Sequence, residues 1–487
     1  MNYLDTLRPS SVWSHFLALS QIPRGSGKEE AASHFVAELG HAHGLETYSF
    51  ANGNVIVRKP ATPGMENRPM IALQSHLDMV QVAQEGVAID FDQDPIVIKK
   101  SGDWISADGT TLGADNGIEV AMTLAILTTA DHPHPPIEAL FTVDEEVGMS
   151  GAAALRAGDL KAGALINLDS EEDDVLMLGC AGAIDVIIEA RRPTEPCPAE
   201  NIVQAVTVSG GKGGHSGVHI HLGRANAIFE LARVLRNCSG LDLTLKSLTG
   251  GQSINAIPSE AVAVISIPED QLVPLQKVIL DADLTLKDAY PSDPGLSVSL
   301  AATTADCVGF RKEDSTALLK ALCDIPSGIV AMREDIEGVV ETSNSVGLVS
   351  AKAGHIKVAC LARSCVDTEL AALVENLRCA AGSFAEDLRT ENAQPAWEPQ
   401  GESVLAQAAA AAYRSVNGHE MRREVIHAGL ECGVLSAIFP HIEMISYGPT
   451  ILDVHSPDER ISVSSVKNCW SVLLETLANI PPKEVAP

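Results

Sequence analysis

Short apolar runs that favour β-strands alternate with helical segments along the first 190 residues. The strand-like runs are GNVIVRK, PMIALQS, IEALFTVD and GALINLDS, and helical patterns such as NGIEVAMTLAILTT and SGAAALRAG lie between them. This alternation predicts an α/β layer with a mixed, mostly parallel sheet sandwiched by helices. Because 487 residues are too many for one hydrophobic core, we expect two or more domains.

A proline-rich segment, RRPTEPCPAEN, interrupts this pattern after about residue 190. The following residues give the order βαββα twice, with Asn255 and Asn344 each placed before the fourth element. From about residue 393 the alternation of strands and helices seen in the first 190 residues returns. The chain closes with a helix whose predicted start is the capping pair Ser456 and Glu459. We therefore predict one domain from residues 1–190 and 393–487, and an inserted α+β domain of two βαββα halves, residues 191–392.

The composition restricts the partners and the compartment. A net charge of −30 argues against nucleic acids and anionic membranes, although some of the acids could serve a cation site. No apolar run reaches the ~18 residues of a membrane span, and the N-terminal residues do not have the pattern of a signal peptide. The ten cysteines are scattered without a CxxC pair, so we expect a reducing compartment, the cytoplasm.

Five potential metal ligands follow separate strand-like runs or precede helices: His76, Asp115, Glu146, Asp169 and His455. Each has a structural alternative, since His76 could simply pair with Asp78 at a strand end and Asp115 could cap a helix. VDEEVG could be a solvated acidic turn, and a lone His455 could be structural. Together, imidazole and carboxylate donors without cysteine fit two zinc ions, with cobalt or manganese as alternatives. Two ions about 3.5–4 Å apart can activate one shared hydroxide.

Other catalytic chemistries lack their spacing in this chain. GGHSGV is not a G-x-S-x-G nucleophile elbow, because Val218 occupies the position of the last glycine. SGGKGGHSG lacks the spacing of a phosphate-binding loop, and no G-x-G-x-x-G follows a strand and opens a helix. Metal-dependent hydrolysis is the reaction that the spacing favours, and a non-enzymatic divalent-cation binding protein is the alternative.

Six segments closely resemble the aminoacyl-histidine dipeptidases, also called Xaa-His dipeptidases, peptidase D or bacterial carnosinases. They are SHLDMV, GADNGIE, DEEVGMSGA, NLDSEE, GGHSGVHIHLGRANA and DVHSPDER, in the same order over nearly the whole chain. The resemblance places the chain in the di-zinc peptidase clan that includes carboxypeptidase G and succinyl-diaminopimelate desuccinylase. It implies a zinc-peptidase catalytic domain with a lid, and hydrolysis of Xaa-His dipeptides such as carnosine by metal-bound hydroxide.

The resemblance also implies how the metal ligands divide. Asp115 would bridge the two ions, with His76 and Asp169 on one and Glu146 and His455 on the other. Another exopeptidase or amidohydrolase of the same clan would keep this set and change the side-chain pocket.

Roles for other residues come from the same resemblance. Glu145 would be the general base and Asp78 would orient His76. In the lid, His215 would donate to the oxyanion, while the substrate would be held by Asn255, Arg363 and Gly429. We expect a homodimer, although a doubled lid could supply His215 within one chain.

Overall fold

The chain divides into two units, and each is built around a sheet of its own. The computed structural model describes residues 7–304, 308–399, 401 and 403–482. The first unit runs to Cys180, resumes at Pro399–Val425 and continues from Leu430, while the second comprises Ala181–Glu398 and Ile426–Gly429. The insert therefore starts before the proline-rich segment, and a short later piece of chain also belongs to it. Cys307 lies outside the described residues, and the nine described cysteines are not joined by disulfide bonds.

Helices and strands follow one another along both units. In chain order the helices are α1 Ser10–Leu19, α2 Glu30–Ala42, α3 Ala114–Thr128, α4 Glu145–Gly148, α5 Ser150–Ala153, α6 Ala227–Arg236, α7 Leu272–Ala289, α8 Lys312–Asp324, α9 Asp367–Ala381, α10 Val404–Asn417, α11 Glu431–Ile438 and α12 Val463–Asn479. The strands are β1 Glu46–Ser49, β2 Val55–Lys59, β3 Ile71–His76, β4 Ile98–Ser101, β5 Trp104–Ala107, β6 Ile137–Thr142, β7 Ala164–Asn167, β8 Val175–Cys180, β9 Gly182–Arg191, β10 Thr194–Pro196, β11 Asn201–Ser209, β12 Gly214–His215, β13 Thr244–Gly250, β14 Ala256–Ile257, β15 Ala261–Pro268, β16 Ser297–Ala302, β17 Val308–Phe310, β18 Gly328–Met332, β19 Val340–Lys352, β20 His355–Ser364, β21 Asp387–Gln394, β22 Arg422–Ile426, β23 Glu443–Ser446, β24 Ile451–Leu452 and β25 Arg460–Ser462.

The first unit is built on a sheet with a parallel centre. Its described strands lie in the order β1-β2-β6-β3-β7-β23-β8-β22, and the four central strands β6, β3, β7 and β23 run parallel. Every residue of β3, β6 and β7 is buried, as expected for strands covered by helices on both faces. Because parallel strands end at the same edge, the segments after β3, β6, β7 and β23 meet there. The α/β prediction is confirmed.

The second unit has a nine-stranded antiparallel sheet whose two halves mirror each other. β11, β13 and β15 with α6 and α7 form one half, in the order β11-β15-β13, and β19-β20-β9 continue the sheet in the reverse order. The first strand of the second half is therefore β9, which precedes the first half in the chain. The sequence predicted β16 as the first strand of the second half, but β16 instead pairs with the outer edge of β11.

The longest strand of this unit, β19, does not correspond to any predicted strand. The centre of β19 consists of Ser343, Asn344 and Ser345, which are all at most 2% exposed. Because these buried residues are polar, the sequence shows no apolar run that would predict a strand here. Asn344 thus lies inside a strand, whereas Asn255 lies in the turn before β14, and the predicted equivalence of the two asparagines is wrong.

The last helix starts later than predicted. α12 begins at Val463, and the hydroxyl of Ser462 accepts from the backbone N–H of Ser465 as its N-cap. Ser456 and Glu459 are not its capping pair, because Glu459 turns to the start of α3 instead. None of the described helices combines the length with the apolar character that crossing a membrane requires.

Candidate metal centre and active site

Asp115 lies between two histidines that are far apart in the sequence. His76 ends β3, Asp115 lies in the first turn of α3, and His455 follows β24 in the left-handed backbone region, with a φ of 59°. Asp115 Oδ1 is 3.1 Å from His76 Nε2, and Asp115 Oδ2 is 3.2 Å from His455 Nε2. Each carboxylate oxygen thus faces a different imidazole, which is the geometry required of a bridging ligand.

The other two carboxylates divide between the same histidines. Asp169 Oδ1 is 3.6 Å from His76 Nε2, and Glu146 Oε2 is 2.9 Å from His455 Nε2. Donor atoms of His76, Asp115 and Glu146 lie within 4.8 Å of one another. The structure therefore brings all five candidate ligands together, in the grouping that the resemblance implied. The His455 side chain is 48% exposed, so one side of this cluster is open to solvent.

The electrostatics of the cluster fit divalent cations. Hydrogen bonds to Asp115 and Glu146 raise the pKa of His455 to about 11. Burial would lower the pKa of His76, but Asp169, Asp115 and Asp78 raise it well above its ordinary value. Glu146 Oε1 is buried without a hydrogen-bond partner. Three carboxylates with an unsatisfied oxygen and two imidazoles form a donor set that suits zinc, cobalt or manganese.

Asp78 connects the first histidine to the acidic segment after β6. Its Oδ1 lies 3.3 Å from His76 Nδ1 and accepts from the Glu145 N–H at 3.1 Å, while Oδ2 accepts from the Glu146 N–H at 3.2 Å. The Ser26 hydroxyl also donates to Oδ2, at 2.8 Å. Burial opposes ionisation, but His76 and these donors lower the pKa of Asp78 to about 2. Asp78 thus fixes both the His76 ring and the backbone of the two glutamates.

Glu145 faces the same cluster but contributes no oxygen to the grouped donors. Asp144 adopts a left-handed conformation with a φ of 58°, and α4 begins at the next residue. Burial raises the pKa of the Glu145 carboxyl well above its ordinary value; His76 opposes this shift, and Asp169 and Glu431 add to it. A carboxyl with a raised pKa beside potential metal ligands is the arrangement expected of a general base.

Asn116 was not predicted as a site residue. Its side-chain oxygen accepts from the His76 N–H at 3.1 Å, and its amide donates to Asp169 Oδ1 and to the Leu168 carbonyl. One side chain therefore connects the end of β3 to the end of β7. The only sign of this role in the sequence is that Asn116 directly follows Asp115.

Glu459 holds the turn that carries Asp115. It is 2% exposed, and its two oxygens accept from the backbone N–H groups of Leu112, Gly113, Ala114 and Asp115 at 2.7–3.3 Å. A carboxylate at this helix start satisfies N–H groups that have no partner within the helix.

Replacing Glu459 with alanine is therefore expected to destabilise the first unit by about 3 kcal/mol, because four buried donors lose a charged acceptor. Chemical denaturation and amide exchange at residues 112–115 would measure the loss. The exposed neighbour Asp458 provides the matched variant, Asp458→Ala, which should change stability by less than about 0.5 kcal/mol. Equal stability of both variants would contradict the capping role.

The second unit contains its own polar cluster, around His215. His215 Nδ1 accepts from the backbone N–H groups of Gly217 and Val218 at 3.2 and 2.9 Å, which leaves the proton on Nε2. Burial and then Arg363 lower the pKa of His215 to about 4, so the ring is neutral at pH 7. A side chain at Gly217 would come within 3.0 Å of Arg363 Nε and 3.1 Å of His215 Cε1, which places Arg363 beside the histidine.

The other predicted substrate-binding positions lie in the same unit. Asn255 is exposed, and its backbone carbonyl accepts from the Ser216 N–H at 2.8 Å. This contact lies next to the β12–β14 pair, which contains His215. Gly429 is half-buried in the short segment Ile426–Gly429.

Residues 72–479 match the model of Peptidase family M20/M25/M40. The chain belongs to this family. It is 36% identical to the cytosol non-specific dipeptidase of Escherichia coli (strain K12), over 99% of this chain and 100% of that protein. The crystal structure of the aminoacylhistidine dipeptidase from Vibrio alginolyticus is similar with a TM-score of 0.92 and 37% identity, over 99% of this chain and 98% of that one.

A solved structure of much lower sequence identity shares the fold. The aminopeptidase PepT from Bacillus cereus ATCC 10987 is similar with a TM-score of 0.55 and 16% identity, over 97% of this chain and 99% of that one. The family membership confirms the predicted resemblance, and the protein is a peptide hydrolase. The individual ligand, base and substrate-binding roles stay predictions.

His427 lies near Arg363 in the second unit, and the sequence analysis did not single it out as a candidate site residue. It is 8% exposed, and its Nε2 is 2.7 Å from the Ser343 hydroxyl. Burial and Arg363 lower the pKa of His427 to about 3, so it is neutral at pH 7. The sequence shows it only two residues before Gly429, without a spacing that would separate it from a structural histidine.

Proposed function

We propose that this peptidase is a dinuclear metal-dependent dipeptidase of the cytoplasm that prefers Xaa-His dipeptides. The carrying observation is Asp115, which directs one oxygen to His76 and the other to His455. The names of the relatives support the substrate class, since one is an aminoacylhistidine dipeptidase and the other a cytosol non-specific dipeptidase. We further propose a homodimer, with a small dipeptide as the substrate.

Two zinc ions, or cobalt or manganese, would be held by the five side chains around Asp115. His76 and Asp169 would bind one ion, Glu146 and His455 the other, and Asp115 both. Bound ions would polarise the scissile carbonyl and lower the pKa of the attacking water. Asp78, whose Oδ1 lies 3.3 Å from His76 Nδ1, would favour the tautomer with the proton on Nδ1 and so leave Nε2 free for the ion.

Glu145 would move the proton in the reaction. It would take a proton from the attacking water and deliver it to the leaving amine, so that the peptide C–N bond breaks with a neutral amine as product. Its backbone N–H donates to Asp78 Oδ1, which holds the chain segment that carries the carboxyl. Burial, which raises its pKa, brings the proton affinity of Glu145 closer to that needed at neutral pH.

The polar cluster of the second unit would bind the substrate. His215, protonated on Nε2, would donate to the oxyanion. The Arg363 guanidinium would bind the free carboxylate of the dipeptide, and Asn255 and Gly429 would hold its backbone. The neutral state of His215 suits a hydrogen-bond donor that need not lose a charge during turnover.

Metal analysis of the purified protein combined with a dipeptide panel tests the proposed function. We expect about two divalent ions per chain, loss of activity with a chelator, and faster hydrolysis of β-Ala-His and Gly-His than of Gly-Gly and Ala-Leu. Equal rates for all four substrates would contradict the Xaa-His preference alone. A metal-free protein whose activity survives the chelator would contradict the whole mechanism.

Arg363→Ala is expected to raise KM for a dipeptide about 30-fold or more, because a charged partner of the substrate carboxylate is lost. The wild-type protein should discriminate strongly between a dipeptide and its C-terminal amide, and the variant should not. Arg378→Ala, which changes an exposed arginine on α9 of the same unit, is the matched control. Unchanged discrimination in Arg363→Ala would remove Arg363 from the carboxylate site.

A further inference from the structure

A row of buried polar side chains crosses the central strands of the first unit just below the candidate metal ligands. Gln74 on β3 is level with Asn167 on β7, and Asn167 is level with Ser446 on β23. The three side chains and those of Thr142 and Glu431 are all 0% exposed. Because strand side chains alternate between faces, Gln74 lies on the same face as His76, two residues further along β3.

The hydrogen bonds of this row run in one direction and end at Glu431. Ser446 donates to Asn167 Oδ1 at 2.6 Å, the Asn167 amide donates to Gln74 Oε1, and the Gln74 amide donates to Glu431 Oε2. The Thr142 hydroxyl donates to the same Glu431 oxygen at 2.7 Å. Successive bonds of this kind polarise one another, so the last acceptor affects the whole row.

Glu431 is an unusual residue for this position. Its partners are an amide and a hydroxyl instead of a lysine or arginine, and its Oε1 is buried without a hydrogen-bond partner. Burying a carboxyl with half of its acceptors unused is costly, and an apolar residue would be cheaper for stability alone. A role in the adjacent site would account for it.

We propose that Glu431 is a positioning residue for the metal centre. As the shared acceptor of Gln74 and Thr142, it fixes the ends of β3 and β6, from which His76 and the segment with Glu145 and Glu146 project. Through Gln74 and Asn167 it also fixes the end of β7, which leads to Asp169. This role rests on the proposed metal-dependent function, since it acts on the residues that would bind the ions.

Two substitutions of Glu431 distinguish the effect of its hydrogen-bond acceptor from the effect of its negative charge. Glu431→Leu removes the acceptor oxygen, whereas Glu431→Gln keeps an oxygen for Gln74 and Thr142 and places its amide at the unpartnered side. Zinc affinity of the folded protein would be measured by competition with a fluorescent chelator. We expect Glu431→Leu to weaken binding about 10- to 100-fold, and Glu431→Gln to restore it to within about threefold of wild type.

Glu138→Leu is the matched control. Glu138 lies on β6 of the same sheet and is also 0% exposed, but it accepts from Arg58 Nε and from the backbone of Lys161 and Ala162 at 2.7–2.9 Å. Its loss should lower stability and leave zinc affinity unchanged. If Glu431→Leu does not fold, Thr142→Val removes one donor at nearly constant volume and should weaken zinc binding about 10-fold, and an affinity within about threefold of wild type would overturn the positioning role.

The outcomes are distinguishable from failure of the proposed function. Wild-type protein that binds no divalent cation would contradict that function before any variant is compared. Wild-type protein that binds zinc and hydrolyses dipeptides, together with a Glu431→Leu variant of unchanged zinc affinity, would overturn only the positioning role. Equal weakening in Glu431→Gln and Glu431→Leu would also overturn it, because the charge and not the acceptor would then be responsible.

Discussion

Glu145→Gln is expected to keep the bound metal and to lower kcat by about 10²- to 10⁴-fold, the contribution of a positioned general base. The substitution preserves the shape of the side chain and removes its ability to accept a proton. The backbone should not move, because the Glu145 N–H donates to Asp78 Oδ1 and the Glu146 N–H donates to Asp78 Oδ2. KM should change little, since the proposed role of Glu145 is to act on the water and the leaving group.

The adjacent acid Asp144 provides the control for this variant. Asp144→Asn makes the same carboxyl-to-amide change one residue earlier, and asparagine tolerates the left-handed backbone found at this position. The Asp144 carboxylate accepts from the Ser150 hydroxyl. Turnover within about threefold of wild type is expected for this control. If Glu145→Gln turned over equally well with its metal in place, Glu145 would not be the base, and a cation-binding role without catalysis would regain support.

The chemistry of the site could be predicted from sequence to a large extent, because strand ends are recognisable. His76 and Asp169 follow apolar runs that became the parallel strands β3 and β7, and parallel strands end at one edge. Asp115 and His455 are less predictable, since each lies on a loop or helix start with an ordinary structural alternative. Only their joint presence, and the resemblance of the surrounding motifs, pointed to one site.

Residues that act through hydrogen bonds to backbone or amides were harder to predict. Glu459 had the spacing of a capping box for α12, yet it caps α3, which is more than 300 residues away in the sequence. Asn116 and Glu431 have no periodicity or motif that marks them as partners of strand ends. Their contacts are long-range, and single-sequence patterns report local preferences.

The topology of the second unit shows the same limit. A local βαββα order was readable twice, but nothing local shows that β9 completes the second half or that β16 is displaced to the edge of the sheet. β19 was missed because its serines and asparagine are buried by tertiary packing, which overrides their low strand propensity.

Asp115→Ala is expected to remove both ions and to lower kcat/KM by about 10⁴-fold or more, because bound metal supplies several kcal/mol of transition-state stabilisation. Asp115 is the side chain whose two oxygens face different histidines, so its loss would take one ligand from each proposed ion. The fold should persist, since Glu459 binds the Asp115 backbone N–H and not its side chain. Metal content measured on the purified variant, with unfolding as a check, would show this directly.

His455→Ala makes the comparison quantitative. It would remove a ligand from the ion that we propose is shared with Glu146 and leave His76, Asp115 and Asp169 in place, so one ion should remain tightly bound. Asp108→Ala, an exposed acid paired with Lys99 in the same part of the chain, should keep both ions. Bridging by Asp115 requires the order Asp108→Ala, His455→Ala, Asp115→Ala in decreasing metal content. Two ions retained in Asp115→Ala would mean that the carboxylate between the histidines is not shared, and the dinuclear centre would have to be built from other ligands.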